Sequence, residues 1–385
     1  MTPNSYSLET RLIHAGVEPD PLSGAIMTPI YQTSTYVQEA PGVHKGYEYA
    51  RTQNPTRTAL QAALASIENG QHALCFASGM AATDAVAKLL QPGDEVIVGN
   101  DLYGGTYRIF TKVFANYGIK FHFVPMQDDA ASVEQYVNAN TRMIWAETPT
   151  NPLLNIVDIA ACATVAKKHN LLLVVDNTFA SPYLQNPLDL GADIVLHSAT
   201  KYLGGHSDVV HGALVMNDAA LEEKLRFIQN SCGAVPGPHD CWLVLRGIKT
   251  LHVRMQRHCE NGTAIAHWLR AHPKVDKVYW FGFEDHPGHA VAKKQMRGFG
   301  GMISFTLKDD SPEAATEVLK KTTLFSLAES LGGVESLIGH PASMTHGSIP
   351  REERIKNGLA DSLIRLSVGI EDVEDLKRDL AEAIG

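Results

Sequence analysis

Positive charge, paired cysteine and long apolar runs are all scarce in this 385-residue chain, and each scarcity removes a class of function. Lys and Arg number 33 against 42 Asp and Glu, a formal net charge of −9. That balance gives no electrostatic footprint for nucleic acid or an anionic membrane, so neither partner is expected. There are five cysteines, Cys75, Cys162, Cys232, Cys241 and Cys259, with no Cys-x-x-Cys spacing. An odd, unpaired set argues against a disulfide framework or a zinc site and for reduced packing residues. His286-Pro287-Gly288-His289 has no nearby carboxylate or thiol cluster at ligand spacing, so no metal is expected. No apolar run reaches the roughly 18 residues of a membrane span, and Met1 to Arg11 is polar and mixed, which points to a cytoplasmic protein. Repeats and low-complexity segments are also missing.

What is present is an alternation. Strand-like runs at Glu95 to Val98, Phe121 to Val124, Met143 to Ala146, Leu171 to Val175, Ile194 to Leu196 and Ala213 to Met216 are separated by segments of helical period. This predicts an α/β fold with a largely parallel sheet. After Cys241 the pattern changes to a long helical stretch, then strands at Val275 to Trp280, Met302 to Leu307 and Ile364 to Val368, and a final helix. A second, smaller α+β domain is expected from about residue 246, following an N-terminal arm over 1–50 and a larger domain over 51–245. The arm contains no obvious buried element of its own. At 44% hydrophobic residues the chain can fill a large core.

Lys201, in Ser198-Ala199-Thr200-Lys201-Tyr202-Leu203-Gly204-Gly205-His206, stands twenty-five positions after Asp176, which ends the apolar run Leu171 to Val175. The pair suggests pyridoxal 5'-phosphate: a lysine amine holds the cofactor aldehyde as a Schiff base, and a carboxylate keeps the pyridine nitrogen protonated. Ser198 and Thr200 would lie beside the phosphate. A second phosphate loop, Phe76-Ala77-Ser78-Gly79-Met80-Ala81, opens a helical pattern through Ala82, Ala85, Val86, Leu89 and Leu90. Free amides of a first helical turn hold an anion without a basic side chain. Each motif alone also reads as a polar turn, and Asp176 alone as a helix cap; together they favour the cofactor.

The chain resembles the Cys/Met-metabolism enzymes that use pyridoxal phosphate, the group containing cystathionine γ-lyase, γ-synthase and β-lyase and methionine γ-lyase. The resemblance spans nearly the whole chain through Gly46 to Arg51, Asn54-Pro55-Thr56-Arg57, Asp101 to Thr106, Glu147 to Pro152, Val175 to Thr178, the Lys201 run, Ala328-Glu329-Ser330-Leu331-Gly332-Gly333 and Ile364 to Gly369. It implies a fold-type I architecture: a mostly parallel seven-stranded sheet flanked by helices, with a smaller C-terminal α+β domain. It also implies a homotetramer, a dimer of dimers, in which Tyr49 and Arg51 reach the neighbour's cofactor phosphate; read alone they are a packed aromatic and a surface charge. By the same resemblance, Ser78, Gly79, Met80 and Thr178 join Asp176, Ser198, Thr200 and Lys201 around the cofactor. Tyr103 stacks on its ring and assists proton transfer or activation of the substrate amine, Arg365 grips the substrate α-carboxylate, Asn151 hydrogen-bonds the cofactor's ring hydroxyl or the substrate carboxylate, and Glu329 and Ser330 line the substrate side. Glu147 and Arg108 could equally form a structural ion pair, and Arg365 could lie outward on an edge strand.

Within the family, Gly105 stands where methionine γ-lyases carry a cysteine, and Glu329 is the acid that the γ-lyase and γ-synthase branches place near the distal end of the substrate. Gln229 to Pro236 and Lys249 to Met255 look closer to γ-lyases than to γ-synthases. The implied activity is α,γ-elimination of L-cystathionine to cysteine, 2-oxobutanoate and ammonia, with hydrogen sulfide production by β-elimination as a side activity. The alternatives are γ-synthase, then methionine γ-lyase or β-lyase, and, from another class, a catalytically silent cofactor-binding protein serving regulation or assembly. Thr52-Gln53 and His211 depart from the family pattern.

Overall fold

A computed structural model describes residues 6–127, 129–347 and 350–385. Seven strands, β1 (His72–Phe76), β2 (Glu95–Gly99), β3 (Lys120–Val124), β4 (Thr141–Glu147), β5 (Leu172–Asp176), β6 (Ile194–Ser198) and β7 (Gly212–Met216), form one sheet in the order β1-β7-β6-β5-β4-β2-β3. From β3 to β6 all pairings are parallel, and β7 runs antiparallel to both neighbours. The inner strands are buried on both faces, the continuous apolar pattern of a sheet covered by helices on each side. All six strand-like runs of the sequence are strands. The seventh, β1, begins with a polar His72 and runs straight into the Phe76 loop, so its apolar stretch gave no separate strand signal.

The smaller sheet has five strands, β8 (Val275–Tyr279), β9 (Met302–Leu307), β10 (Ser326–Leu327), β11 (Leu337–Gly339) and β12 (Ile364–Ser367), in the order β10-β11-β12-β9-β8. Its own core, with Phe305, Ile364 and Leu380 fully buried, marks a second, smaller domain. The long helical stretch is two helices, Pro238–Ile248 and Leu251–Ala271. The helix after the Phe76 loop is shorter than its apolar pattern, ending at Ala87, so Leu89 and Leu90 lie beyond it.

One expectation is corrected. The first fifty residues do contain a buried element, the helix Leu8–His14, whose Leu12 enters the core of the larger domain. Beyond it the arm is open: Leu22 and Val37 are 95% and 96% exposed. Its far end is pinned by the Asn54 motif. Asn54 caps the helix Pro55–Ile67 by accepting from the Thr56 and Arg57 amides, with Pro55 preset for the first turn. The buried Arg57 then donates to the carbonyls of Ala50, Arg51 and Thr52 at 3.0, 3.1 and 2.8 Å.

Candidate active site

Parallel strands that stop together leave a crevice at their carboxyl ends, and loops from the smaller domain close it into a cleft of about 360 Å³. From the sheet side come Asp176, the last residue of β5, Ser198, the last of β6, and Thr200 and Lys201 just after it. Ser78, Gly79 and Met80, Tyr103, Asn151 and Thr178 line the same cleft, as do Glu329, Ser330 and Arg365 from the smaller domain. Thr83, Thr106, Glu147, Phe179, Val210 and Thr345 line it as well. Tyr49 and Arg51 do not; the Arg51 guanidinium lies over the Tyr49 ring at 5.7 Å.

The Ser78 side chain caps the helix Gly79–Ala87 by accepting from Ala81 N at 3.0 Å. Among the described residues this leaves the Gly79 and Met80 amides without protein partners, aimed along the positive end of the helix. Glycine is needed at two places for close approach. A Cβ on Gly79 would stand 2.9 Å from the Ser198 Cβ, and one on Gly212 would stand 2.1 Å from the Ser78 carbonyl oxygen. The Thr200 hydroxyl accepts from His211 N at 2.9 Å and donates to His211 O at 3.2 Å. The His211 imidazole turns away from the cleft, with Nε2 3.8 Å from Cys241 Sγ. Burial pushes it down to about 3, so it is a neutral packing group.

Lys201 Nζ donates to Ser330 Oγ at 2.8 Å. Burial, with Arg365 adding repulsion, pushes the amine down to about 8, far enough for a reactive free amine at neutral pH. Arg254, buried in the helix Leu251–Ala271, fixes the turn after it by donating to Tyr202 O at 2.7 Å. Asp176 Oδ1 accepts from Thr178 N at 3.0 Å and from the Thr178 hydroxyl at 2.6 Å, so Asp176 makes a local turn rather than capping a helix. Its Oδ2 has no protein partner among the described residues. Asp176 and Glu147 face each other in register on β5 and β4. Burial raises both, and Glu147 stands well above the usual carboxyl range with the Asp176 charge beside it.

Glu147 is not paired with Arg108. It accepts from two backbone amides, Tyr103 N at 2.9 Å and Asn151 N at 3.1 Å, while Arg108 is exposed on the helix Gly104–Lys112. Arg365 points inward, 4% exposed, donating to Asn151 Oδ1 at 2.8 Å and Ser330 O at 2.9 Å. Burial lowers it only to about 10, so it stays charged, with N–H groups left over for a carboxylate. These groups fit pyridoxal phosphate: an anion cradle of amides and hydroxyls, a buried amine, a carboxylate with a free oxygen, and the Tyr103 ring on the wall.

Similarity to known proteins agrees with the geometry. The pattern of Cys/Met metabolism PLP-dependent enzymes matches residues 9–385. The chain belongs to this family. It is therefore a pyridoxal-phosphate-dependent lyase of cysteine and methionine metabolism. Members of the family similar to it carry different activities. A cystathionine beta-lyase of Coxiella burnetii is 56% identical over 98% of this chain and 97% of its own. A cystathionine gamma-synthase of Mycobacterium tuberculosis is 53% identical over 98% and 96%. The crystal structure of a cystathionine gamma-lyase from Lactobacillus plantarum with L-serine superposes with a TM-score of 0.95, at 49% identity and 98% coverage of both chains. Among the described residues no helix is long and apolar enough to cross a membrane, and no cluster of His, Cys, Asp and Glu could hold a metal ion.

Proposed function

We propose that this family member is a cystathionine γ-lyase, acting on L-cystathionine to release cysteine, 2-oxobutanoate and ammonia. The observation that carries the reading is Glu329, an exposed carboxylate on the cleft lining directly beside Ser330, whose carbonyl and hydroxyl contact Arg365 and Lys201. A substrate held at Arg365 by its α-carboxylate would extend a distal ammonium toward that acid. Gly105 supports the same branch, because a Cβ there would stand 2.3 Å from the Tyr103 ring and 3.0 Å from Met80 Sδ.

In this reading the Gly79 and Met80 amides, with Ser78, Ser198 and Thr200, hold the cofactor phosphate, and Thr178 orients Asp176 toward the ring nitrogen. The bound ring supplies an electron sink for the pair left at Cα when its proton departs. Lys201 holds the cofactor and then carries protons at Cα and Cβ, a task its lowered pKa suits. Arg365, itself aligned by Asn151 Oδ1, fixes the α-carboxylate in a bidentate grip. Tyr103 covers the ring and assists proton transfer. Tyr49 and Arg51 complete a neighbour's site in a homotetramer with shared active sites, which the exposed apolar arm supports. The site takes small sulfur amino acids, and cysteines that are all free fit a cytoplasmic enzyme.

The same Glu329, an acid that the γ-synthase branch also places near the distal end of the substrate, makes γ-synthase the second reading. Incubating the enzyme with L-cystathionine alone, and separately with an O-acylhomoserine plus cysteine, decides between them. The γ-lyase yields 2-oxobutanoate and cysteine from the first mixture. Pyruvate and homocysteine as main products would make it a β-lyase, and efficient cystathionine formation with negligible breakdown would make it a γ-synthase.

A further inference from the structure

Two backbone segments carry the cleft-lining residues Tyr103 and Asn151, and both are gripped by the same pair of side chains. The peptide unit joining Leu102 to Tyr103 donates its N–H to Glu147 Oε2 at 2.9 Å, and its carbonyl accepts from His346 Nε2 at 3.2 Å. Asn151 repeats the pattern: its N–H goes to Glu147 Oε1 at 3.1 Å and its carbonyl to His346 Nε2 at 3.0 Å. The imidazole must carry its proton on Nε2, because that nitrogen faces two carbonyls; Nδ1 then accepts from the Thr345 hydroxyl at 2.8 Å. Both side chains are shielded from water, His346 at 2% and Glu147 at 6% exposure. They arrive from opposite sides. Glu147 ends β4 of the larger sheet, and His346 sits in the loop between β11 and β12 of the smaller one. Gly104 permits the approach, since a Cβ there would stand 2.3 Å from the Thr345 carbonyl.

We infer that Glu147 and His346 act as one brace across the two sheets, positioning residues that lock the Tyr103 peptide and Asn151 in a fixed mutual relation. The inference rests on the proposed roles of Tyr103 at the ring and of Asn151 behind Arg365. With all four polar groups of two separate backbone segments taken by two side chains, neither segment can rotate without leaving a buried group unpaired. The brace thereby couples ring stacking to the carboxylate grip, and docking of the smaller domain completes both at once. His346 is off the cleft lining but holds Asn151, which aligns Arg365, so its loss should loosen substrate binding and leave the phosphate cradle, and with it cofactor content, intact.

The test is titration of the holoenzyme with glycine, which has the α-carboxylate and no leaving group, read through the cofactor's visible spectrum alongside total cofactor content. His346→Leu should raise the glycine Kd roughly 10-fold with full cofactor content. His346→Gln, whose amide can donate to the same carbonyls, should return it to within about threefold of wild type. Equal loss in the Leu and Gln variants would reduce His346 to a space-filler, and wild-type affinity in His346→Leu would overturn the brace. If His346→Leu does not fold, Glu147→Gln decides: it keeps the volume but sets a donor against an N–H, so glycine should weaken there too, and an unchanged Kd overturns the inference. Arg365→Lys reports on the underlying reading separately. Glycine binding undisturbed in that variant would remove the carboxylate grip, and the brace's purpose with it.

Discussion

On the wall built by the seven-stranded sheet, the polar groups are delivered by strand ends and the turns that follow them: Asp176 closes β5, Ser198 closes β6, and Lys201 stands three residues further on. The facing wall works differently, taking Arg365 from the interior of β12 and Glu329 and Ser330 from a loop. Main-chain amides and close-approach glycines dominate the first, so few substitutions there leave the cradle intact. The second relies on individual side chains, one of them exposed, which can change one at a time. On the proposed roles, the cofactor side would be a property of the sheet, and the substrate side a property of a few residues laid against it.

Three variants test that division. The largest effect belongs to Lys201→Ala. Turnover should fall by more than about 10³-fold for every substrate, through loss of the proton carrier and of the cofactor's attachment, with circular dichroism unchanged. Cofactor still fixed to the variant by borohydride would show that another group carries it. Gly212→Ala comes next. The added methyl meets the Ser78 carbonyl at 2.1 Å, so the cradle must shift, at a cost of about 1–3 kcal/mol. Cofactor affinity and Tm should both drop, again for all substrates, and a variant with normal values of both would mean the sheet wall is more tolerant than its packing suggests. The smallest effect is Glu329→Ala. An exposed carboxylate contributes about 1 kcal/mol or less, so kcat/KM for cystathionine should fall only a few-fold, while β-elimination of a small substrate stays unchanged. A uniform fall across substrates would place Glu329 in the common machinery and erase the contrast between the walls.

Legibility in the sequence follows the same line. The sheet wall was readable because strands of five residues with buried side chains leave apolar runs, and the functional groups follow them directly. The smaller domain was readable only at its longer strands. β10 and β11 have two and three residues, too short for any periodicity to register. The helix Leu8–His14 escaped notice because only Leu12 is buried in it. The inward direction of Arg365 was one of two options until its partners Asn151 and Ser330 were in place. Glu147 drew attention in the sequence with the wrong partner, since a carboxylate suggests an arginine and nothing local reveals that two amides take it instead. His346 left no signal at all, because it bonds carbonyls 195 and 244 positions away.

Ser330 adopts φ of +102°, a conformation that suits glycine and costs other residues about 1–3 kcal/mol. Glycine at that position would relieve the penalty and still offer the carbonyl to Arg365, but the hydroxyl held by Lys201 would be gone. Stability and chemistry therefore pull this position in opposite directions. Laboratory evolution for heat tolerance alone would drift toward Ser330→Gly and accumulate sturdy, sluggish enzymes, whereas selection on turnover would keep a serine that the backbone resists.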